Sequence, residues 1–168
     1  MLKKNPTLFL WLSDYFEKDF LKNHIIESKD FLKIDEKLKL SKGLINLLEV
    51  NEFRYINKYF EKINSNLIKG DLFCSTVLTY PQRKDQIFKK YPFIFAIFIF
   101  IIDSIFYRIF PKLALTKKIF FLLTKGRGRL LSRAETYGRL YSCGFEIVDE
   151  KIIHDKLYFI FKKISDPV

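Results

Sequence analysis

One stretch near the middle of the chain restricts the fold more than any other. Residues 93–102 (FIFAIFIFII) are all apolar, and after Asp103 the apolar sequence resumes as IFYRIF. Residues 83–133 carry twelve Lys or Arg and only two acids, so this window holds +10 of the net charge of +11. A folded chain must cover such an apolar segment, and the charges around it indicate an anionic surface as the neighbour.

The length and polarity of residues 92–110 limit how this segment can contact a membrane. Residues 92–110 are close to the roughly twenty residues that span a bilayer, but Asp103 and Arg108 interrupt them. On a helix Asp103, Ser104, Tyr107 and Arg108 share one stripe, and an acid at mid-depth is costly. Basic groups also lie on both sides of the segment, against the positive-inside bias of a single span. We expect a helix that lies on one leaflet or dips into it; packing against protein and true spanning remain alternatives.

The expected membrane contacts are aromatic and basic. The docking side chains that we predict are Phe95, Phe98, Phe100, Phe106, Lys89, Lys90, Lys117 and Lys118, the lysines facing anionic headgroups. Residues 113–123 form a second amphipathic helix that could lie beside the first. The apolar residues 8–12 are too short for a signal peptide, so we expect the protein on the cytoplasmic side of the membrane, peripheral or monotopic. Because the cations flank apolar surface, nucleic acid is not the expected partner.

Hydrophobic patterning predicts one α/β domain over residues 1–168. Buried strands are expected at residues 8–12, 44–50 and 72–80, with helices at 14–25 and 53–67 between them. Residues 31–40 are weakly patterned. This alternation predicts a partial, doubly wound parallel sheet, interrupted by an apolar and basic helical insertion at residues 81–129.

The last third of the chain carries clear local signals. Ser132 and Glu135 have the spacing of a capping box, which predicts a helix that ends before Gly144. Residues 145–153 and 156–164 then alternate as two strands, with a tight turn at His154 and Asp155. The sheet is therefore expected to close with an antiparallel hairpin.

The search for reactive groups gives few candidates. No glycine precedes Gly43, so the junction at residues 12–15 lacks the glycine-rich turn of a dinucleotide or S-adenosylmethionine site. Two cysteines and two histidines do not have the spacing of a metal site. Asp149 and Glu150, as neighbours in a strand, point to opposite faces and are expected to be solvated. No catalytic residue, metal or cofactor is expected.

One basic, glycine-rich stretch remains as a candidate anion site. It consists of Lys125, Gly126, Arg127, Gly128 and Arg129. Backbone amides beside glycine can cradle a phosphate or a lipid headgroup, but a flexible basic loop is the alternative interpretation.

Residues 124–167 resemble a known bacterial family. The segments LSRAETYGRLYSCGFEIVDE and LYFIFKK are similar to the end of the N-terminal domain of polyprenyl-phosphate glycosylphosphotransferases of exopolysaccharide and capsule synthesis. A weaker likeness includes FRYINKYFEKIN and the insertion. The resemblance implies a fold like the later half of a class I methyltransferase, with the sugar-phosphate transfer site in a catalytic domain that follows. It also implies anionic lipid or polyprenyl phosphate and that catalytic domain as partners.

These observations support one leading hypothesis and two alternatives. The leading one is a non-catalytic domain that docks a sugar transferase on the membrane or regulates it. An S-adenosylmethionine-dependent methyltransferase with an unusual cofactor loop is the enzymatic alternative. A protein-interaction module that partners a separate sugar transferase domain is the third.

Overall fold

A five-stranded mixed sheet organises the chain in the computed structural model, which describes residues 5–23, 25–30 and 43–167. The strands are β1 (Ile25–Ile26), β2 (Gly43–Glu49), β3 (Leu72–Val77), β4 (Phe145–Ile153) and β5 (Lys156–Lys163). The described helices are α1 (Pro6–Ser13), α2 (Lys18–Asn23), α3 (Ile56–Asn66), α4 (Tyr80–Lys90), α5 (Phe93–Ser104), α6 (Ala114–Thr124) and α7 (Arg133–Ser142). The weakly patterned residues 31–40 lie outside the described part.

The sheet has the order β1-β2-β3-β5-β4. Strands β1, β2 and β3 are parallel, whereas β5 runs antiparallel to both of its neighbours, β3 and β4. The predicted α/β class and the closing hairpin are therefore confirmed. The hairpin turn places His154 and Asp155 at φ of 48° and 58°, the left-handed pair that a two-residue hairpin needs.

Alternating side chains build a core on each face of the sheet. Leu44, Phe73 and Phe159 pack under α3 and α7, in a cluster that contains Tyr59, Phe60 and Leu140. Their immediate neighbours in sequence, Ile45, Cys74 and Ile160, face the other way and pack against Leu8, Trp11 and Leu12 of α1. The continuous apolar runs predicted as buried strands are thus explained by helices on both faces.

The expected strand at residues 8–12 is wrong, because these residues belong to α1. The Asn5 side chain accepts a hydrogen bond from the Leu8 amide at 3.1 Å, and Pro6 occupies the first turn. Both are helix-start signals that outweigh the apolar run. The helix expected at residues 14–25 is also shorter than predicted and spans Lys18–Asn23. No strand-to-helix junction therefore exists at residues 12–15.

The insertion leaves the protein body, which is the sheet with the helices packed on its two faces, and returns to it at one place. Thr79 and Leu131 form an isolated parallel bridge, so the two ends of the excursion lie side by side. Asn51 is buried and holds both ends, since its side-chain amide donates to Leu78 O at 2.9 Å and to Arg129 O at 2.7 Å. The insertion is thereby fixed at its base to the end of β2.

The predicted helix start at Ser132 is present in α7. Its hydroxyl accepts a hydrogen bond from the Glu135 amide at 3.0 Å. The Glu135 carboxylate, however, accepts from Arg139 at 3.2 Å and pairs with Lys112 at 3.3 Å. This side chain joins α7 to the insertion.

Candidate membrane-docking surface

The polar stripe of the insertion faces the protein body. Asp103 is only 9% exposed, and its Oδ1 lies 2.6 Å from Nη2 of Arg83 in α4. The Arg83 Nε is 3.2 Å from each carboxylate oxygen. The hydrogen bond to Asp103 raises the pKa of the Arg83 guanidinium. The one acid of the apolar segment is therefore neutralised and turned inward.

Arg108 and the backbone of Tyr107, which belong to the same stripe, also contact the protein. The Arg108 guanidinium lies 4.8 Å from the ring centroid of Tyr80, and that ring packs on Phe100 at 5.0 Å. Tyr107 accepts a hydrogen bond from the Leu130 amide at 2.9 Å through its carbonyl oxygen. Residues Ile105–Ile109 adopt a π-helical turn, a local widening that is common at functional sites.

The opposite side of the insertion is apolar and exposed. Its members recur at helical spacing, so the large side chains lie on one side of α5 and continue along α6. We call this set the outer apolar face: Phe93, Ile94, Phe95, Phe98, Ile101, Ile102, Ile105, Ile109, Leu113, Leu115, Ile119, Leu122 and Leu123. The most exposed are Leu115 at 88% and Leu122 at 80%. This polarity is the reverse of that of a surface helix in a soluble protein, which turns its apolar side inward.

The two arms of the outer apolar face meet at a sharp bend. The segments Phe93–Ile109 and Ala114–Thr124 are inclined by 102° to each other. Phe120 anchors the second arm, because it is fully buried and lies 5.5 Å from Phe106 between ring centroids. In the described part of the chain no helix reaches membrane-spanning length and hydropathy by itself; this bent pair does so when both arms are counted together.

The predicted aromatic contacts divide into two groups. Phe95 and Phe98 belong to the outer apolar face, with 65% and 63% of their surface exposed. Phe100 packs against Tyr80 and Phe88, and Phe106 packs against Phe110 and Phe120. These last two are half-buried and hold the insertion together.

The four predicted lysines are exposed: Lys89 and Lys90 at the end of α4, just before the first arm, and Lys117 and Lys118 within the second arm. The Lys89 ammonium lies 2.6 Å from Oδ1 of Asp155 in the hairpin turn, and this hydrogen bond raises the pKa of Lys89. Lys90 lies over the ring of Tyr91, and Lys117 lies 5.9 Å from the centroid of Phe121. Lys118 is an exposed residue of the second arm. The positive charge thus lies just before the first arm and among the residues of the second.

The glycine-rich stretch 125–129 is folded onto the body. The Gly128 amide donates to Asn51 O at 2.7 Å, and the Gly126 amide donates to the Thr124 hydroxyl at 3.1 Å. The Arg127 amide donates to Thr124 O at 3.1 Å. Three amides of the stretch are thus engaged within the protein, while the side chains of Lys125 and Arg127 are exposed and that of Arg129 is half-buried.

Sequence reasoning missed a cleft between the insertion and the body, which we call the basic cleft. Its volume is 510 Å³, and its cationic walls come from four separate parts of the chain. These cations are Arg54, Lys58, Lys112, Lys117, Arg129 and Arg139. No local pattern joins them, and their separate positions in the sequence gave no signal of a common site.

The acidic pair is held by hydrogen bonds on opposite faces of β4. Asp149 accepts from Trp11 Nε1 at 2.6 Å and from the Tyr15 hydroxyl at 2.8 Å. Burial raises the pKa of Asp149, but these hydrogen bonds outweigh it and hold the pKa below its usual value. Glu150 accepts from the Tyr137 hydroxyl and pairs with Arg133. The predicted opposite orientation is present, and both carboxylates are partly exposed but also have partners within the protein.

Other reactive groups are few in the described part. Cys74 is fully buried, which raises the pKa of its thiol. Among residues 5–23, 25–30 and 43–167 no three His, Cys, Asp or Glu side chains are grouped to hold a metal ion.

Comparison with known proteins adds no relative. The chain matches no protein-family model, no curated protein and no solved structure at a significant level. What these residues do is therefore inferred from their chemistry and geometry.

Proposed function

We propose that this chain is a non-catalytic domain that docks on an anionic membrane through the outer apolar face. One observation carries the proposal: α5 buries its only acid against Arg83 and presents large apolar side chains outward. Transfer of such side chains out of water contributes about 1.5–3 kcal/mol for each one fully buried. Several of them together favour a surface-bound state even when each inserts only in part.

The surrounding charge favours lipid over protein as the cover of this face. From residue 86 to residue 134 the only acid is Asp103, and Arg83 neutralises it. The four predicted lysines face headgroups when the arms lie in the interface, and each contributes about 1 kcal/mol at an anionic surface. The bend of 102° between the arms suits a helix pair that dips into one leaflet and returns. This is the arrangement of a monotopic or peripheral protein.

The cellular setting rests on the resemblance of residues 124–167. It supports a place on the cytoplasmic leaflet of the bacterial inner membrane, beside a sugar transferase of cell-surface polysaccharide synthesis. The chain order of α3, β3, the insertion, α7 and the closing hairpin agrees with the later half of a class I methyltransferase. In this setting the domain holds the catalytic part close to its polyprenyl-phosphate acceptor.

Vesicle co-sedimentation of the full chain tests the docking. The double variant Ile102→Ser/Ile119→Ser removes one exposed side chain from each arm. We expect it to reduce the partition coefficient for vesicles that contain about 30% phosphatidylglycerol by about tenfold or more, because two apolar insertions are lost. Pure phosphatidylcholine vesicles should retain less of the wild-type protein than the anionic ones.

The matched control is Ile68→Ser/Ile152→Ser. Ile68 is 66% exposed and Ile152 is 60% exposed, close to the 67% of Ile102, but both lie outside the insertion. This variant should sediment as the wild type does. Equal loss in both double variants, or full recovery of the wild type in the supernatant with anionic vesicles, contradicts membrane docking.

A protein cover is the second candidate, because a catalytic domain with an apolar surface would meet the same outer apolar face. Pull-down with a separately produced sugar transferase catalytic domain distinguishes the two. If the catalytic domain captures the wild type but not Ile102→Ser/Ile119→Ser, and the wild type does not bind vesicles, the interaction module is supported instead.

A further inference from the structure

The basic cleft has an excess of positive charge that the protein itself does not neutralise. Six cations line it, and among its described lining residues Glu135 is the only acid. Although burial alone raises the pKa of Glu135, its hydrogen bond with Arg139 and its pairing with Lys112 hold the pKa below its usual value. Glu135 offsets only one of the six cations, so the walls of the cleft still have a positive excess.

Two of the cations are partly buried and close enough to repel each other. Burial and the charge of Arg139 together lower the pKa of the Arg129 guanidinium. The Nε atoms of Arg129 and Arg139 are both buried and have no hydrogen-bond partner. Arg139 pairs with Glu135 at 3.2 Å, whereas Arg129 donates only to neutral carbonyl oxygens, including that of Arg54 at 2.8 Å, and has no acidic partner among the described residues. A guanidinium without an acidic partner is suited to a phosphate, which offers several acceptor oxygens.

The start of α3 adds backbone donors to the same cleft. Tyr55, Ile56, Asn57 and Lys58 line it, and they form the cap and the first turn of this helix. The cap makes no side-chain hydrogen bond and the first turn contains no acid. The N-terminal amides and the positive end of the helix dipole are therefore available to an anion, as in many phosphate sites.

The position of the cleft relates it to the outer apolar face. Lys117 and Phe121 of α6 line the cleft, while Leu115, Ile119 and Leu122 of the same helix belong to the outer apolar face. When α6 lies in the interface, the cleft lies at the level of the headgroups. Pro111 and Phe121 supply apolar contacts beside the cations.

We propose that the basic cleft binds the phosphate group of a lipid headgroup, with Arg54, Lys58, Lys117, Arg129 and Arg139 as its charged contacts. A phosphomonoester fits best, because its two negative charges match the excess of cations. The phosphate site stands on the cleft alone, and only the lipid origin of the phosphate rests on the proposed docking. The site provides headgroup recognition in addition to the nonspecific affinity of the outer apolar face.

Isothermal titration of the full chain with monomeric, water-soluble dihexanoyl phosphatidic acid tests the site without any membrane. The variant Arg54→Gln/Lys58→Gln removes two exposed cations of the cleft and leaves the half-buried Arg129 and Arg139 intact. We expect the dissociation constant to rise about tenfold or more. Dihexanoyl phosphatidylcholine, whose phosphate is masked by choline, should bind at least about tenfold more weakly than the acid.

The control Lys69→Gln/Lys151→Gln makes the same change in net charge at exposed positions outside the cleft. It should change the dissociation constant by less than about twofold, since only distant screened charges are lost. An equal effect of the two double variants overturns the site, as does failure of the wild type to bind the soluble acid. Inorganic phosphate that binds as tightly as the lipid overturns the lipid origin.

The outcomes for the cleft and for docking are separable. A wild-type chain that binds dihexanoyl phosphatidic acid but does not sediment with vesicles supports the phosphate site and contradicts docking. A chain that sediments with anionic vesicles but does not bind the soluble acid contradicts the phosphate site and leaves docking in place.

Discussion

Arg83 in α4 and Asp103 in α5 form the ion pair that determines which way the apolar insertion faces. The guanidinium approaches both oxygens of a carboxylate that is 9% exposed, and it does so across the junction of two helices. The pair holds the polar side of α5 toward the protein, and Phe95 and Phe98 lie on the exposed side of the same helix.

Asp103→Asn should therefore loosen the insertion. The variant leaves Arg83 without its charged partner, and because Arg83 is partly exposed we expect a loss of only about 1–2 kcal/mol in the free energy of unfolding. Hydrogen exchange in α5 should increase. Asp85→Asn, at an exposed position of α4, is the control and should change stability by less than about 0.5 kcal/mol. Urea unfolding followed by Trp11 fluorescence measures both; equal values for the two variants contradict the role of the pair.

A tryptophan in the outer apolar face should report insertion directly. In Phe98→Trp we expect the emission to shift to shorter wavelength on addition of anionic vesicles and to be quenched by brominated acyl chains, since the ring enters an apolar medium. Native Trp11 is 5% exposed and hydrogen-bonded to Asp149, so its signal should stay constant. Tyr141→Trp, on α7 and 48% exposed, is the control that should show neither change.

Asp149 should contribute to the acid sensitivity of the fold. Its pKa is lower in the folded than in the unfolded chain, so its stabilisation is complete above the unfolded value and is lost as pH falls through the folded value. Asp149→Asn should lower the free energy of unfolding at neutral pH by about 1–2 kcal/mol. The variant should also lose less stability than the wild type between about pH 5 and pH 2.

Glu146→Gln is the control for this pH dependence, because Glu146 is an exposed residue of the same strand. Thermal unfolding across the acid range should show the wild-type slope in this control. A parallel pH profile for Asp149→Asn and the wild type would show that the bonds from Trp11 and Tyr15 do not stabilise the ionised carboxylate.

Two glycines should respond to alanine in opposite directions. Gly126 has a φ of 77°, and a Cβ there would lie 2.8 Å from the Phe121 ring and 2.9 Å from Arg54. We expect Gly126→Ala to lower the free energy of unfolding by about 1–3 kcal/mol. Gly138 lies within α7 with no atom close to an added Cβ, so Gly138→Ala should raise stability by about 0.5–1 kcal/mol. Denaturant midpoints compare the two, and destabilisation by both variants would refute the distinction.

Local signals were sufficient for much of the fold. The strands β2 and β3, the helices α3 and α7, and the closing hairpin follow from short-range patterns, because periodicity, a helix cap and a turn depend on neighbours in sequence. The error at residues 8–12 has a related cause: a short apolar run is compatible with a strand or a buried helix. Asn5 and Pro6 carried the information that decides between them.

The sequence by itself determined that residues 93–102 are apolar, that cations surround them and that the polar stripe lies on one side. Only the tertiary structure decided that this stripe faces inward, since the partner of Asp103 comes from another helix, twenty positions earlier in the chain. The basic cleft was decided in the same way, because its six cations come from distant segments and meet only when the insertion folds back on α3 and α7. Contacts between distant parts of the chain leave no periodic trace in sequence, and for that reason both features required the fold.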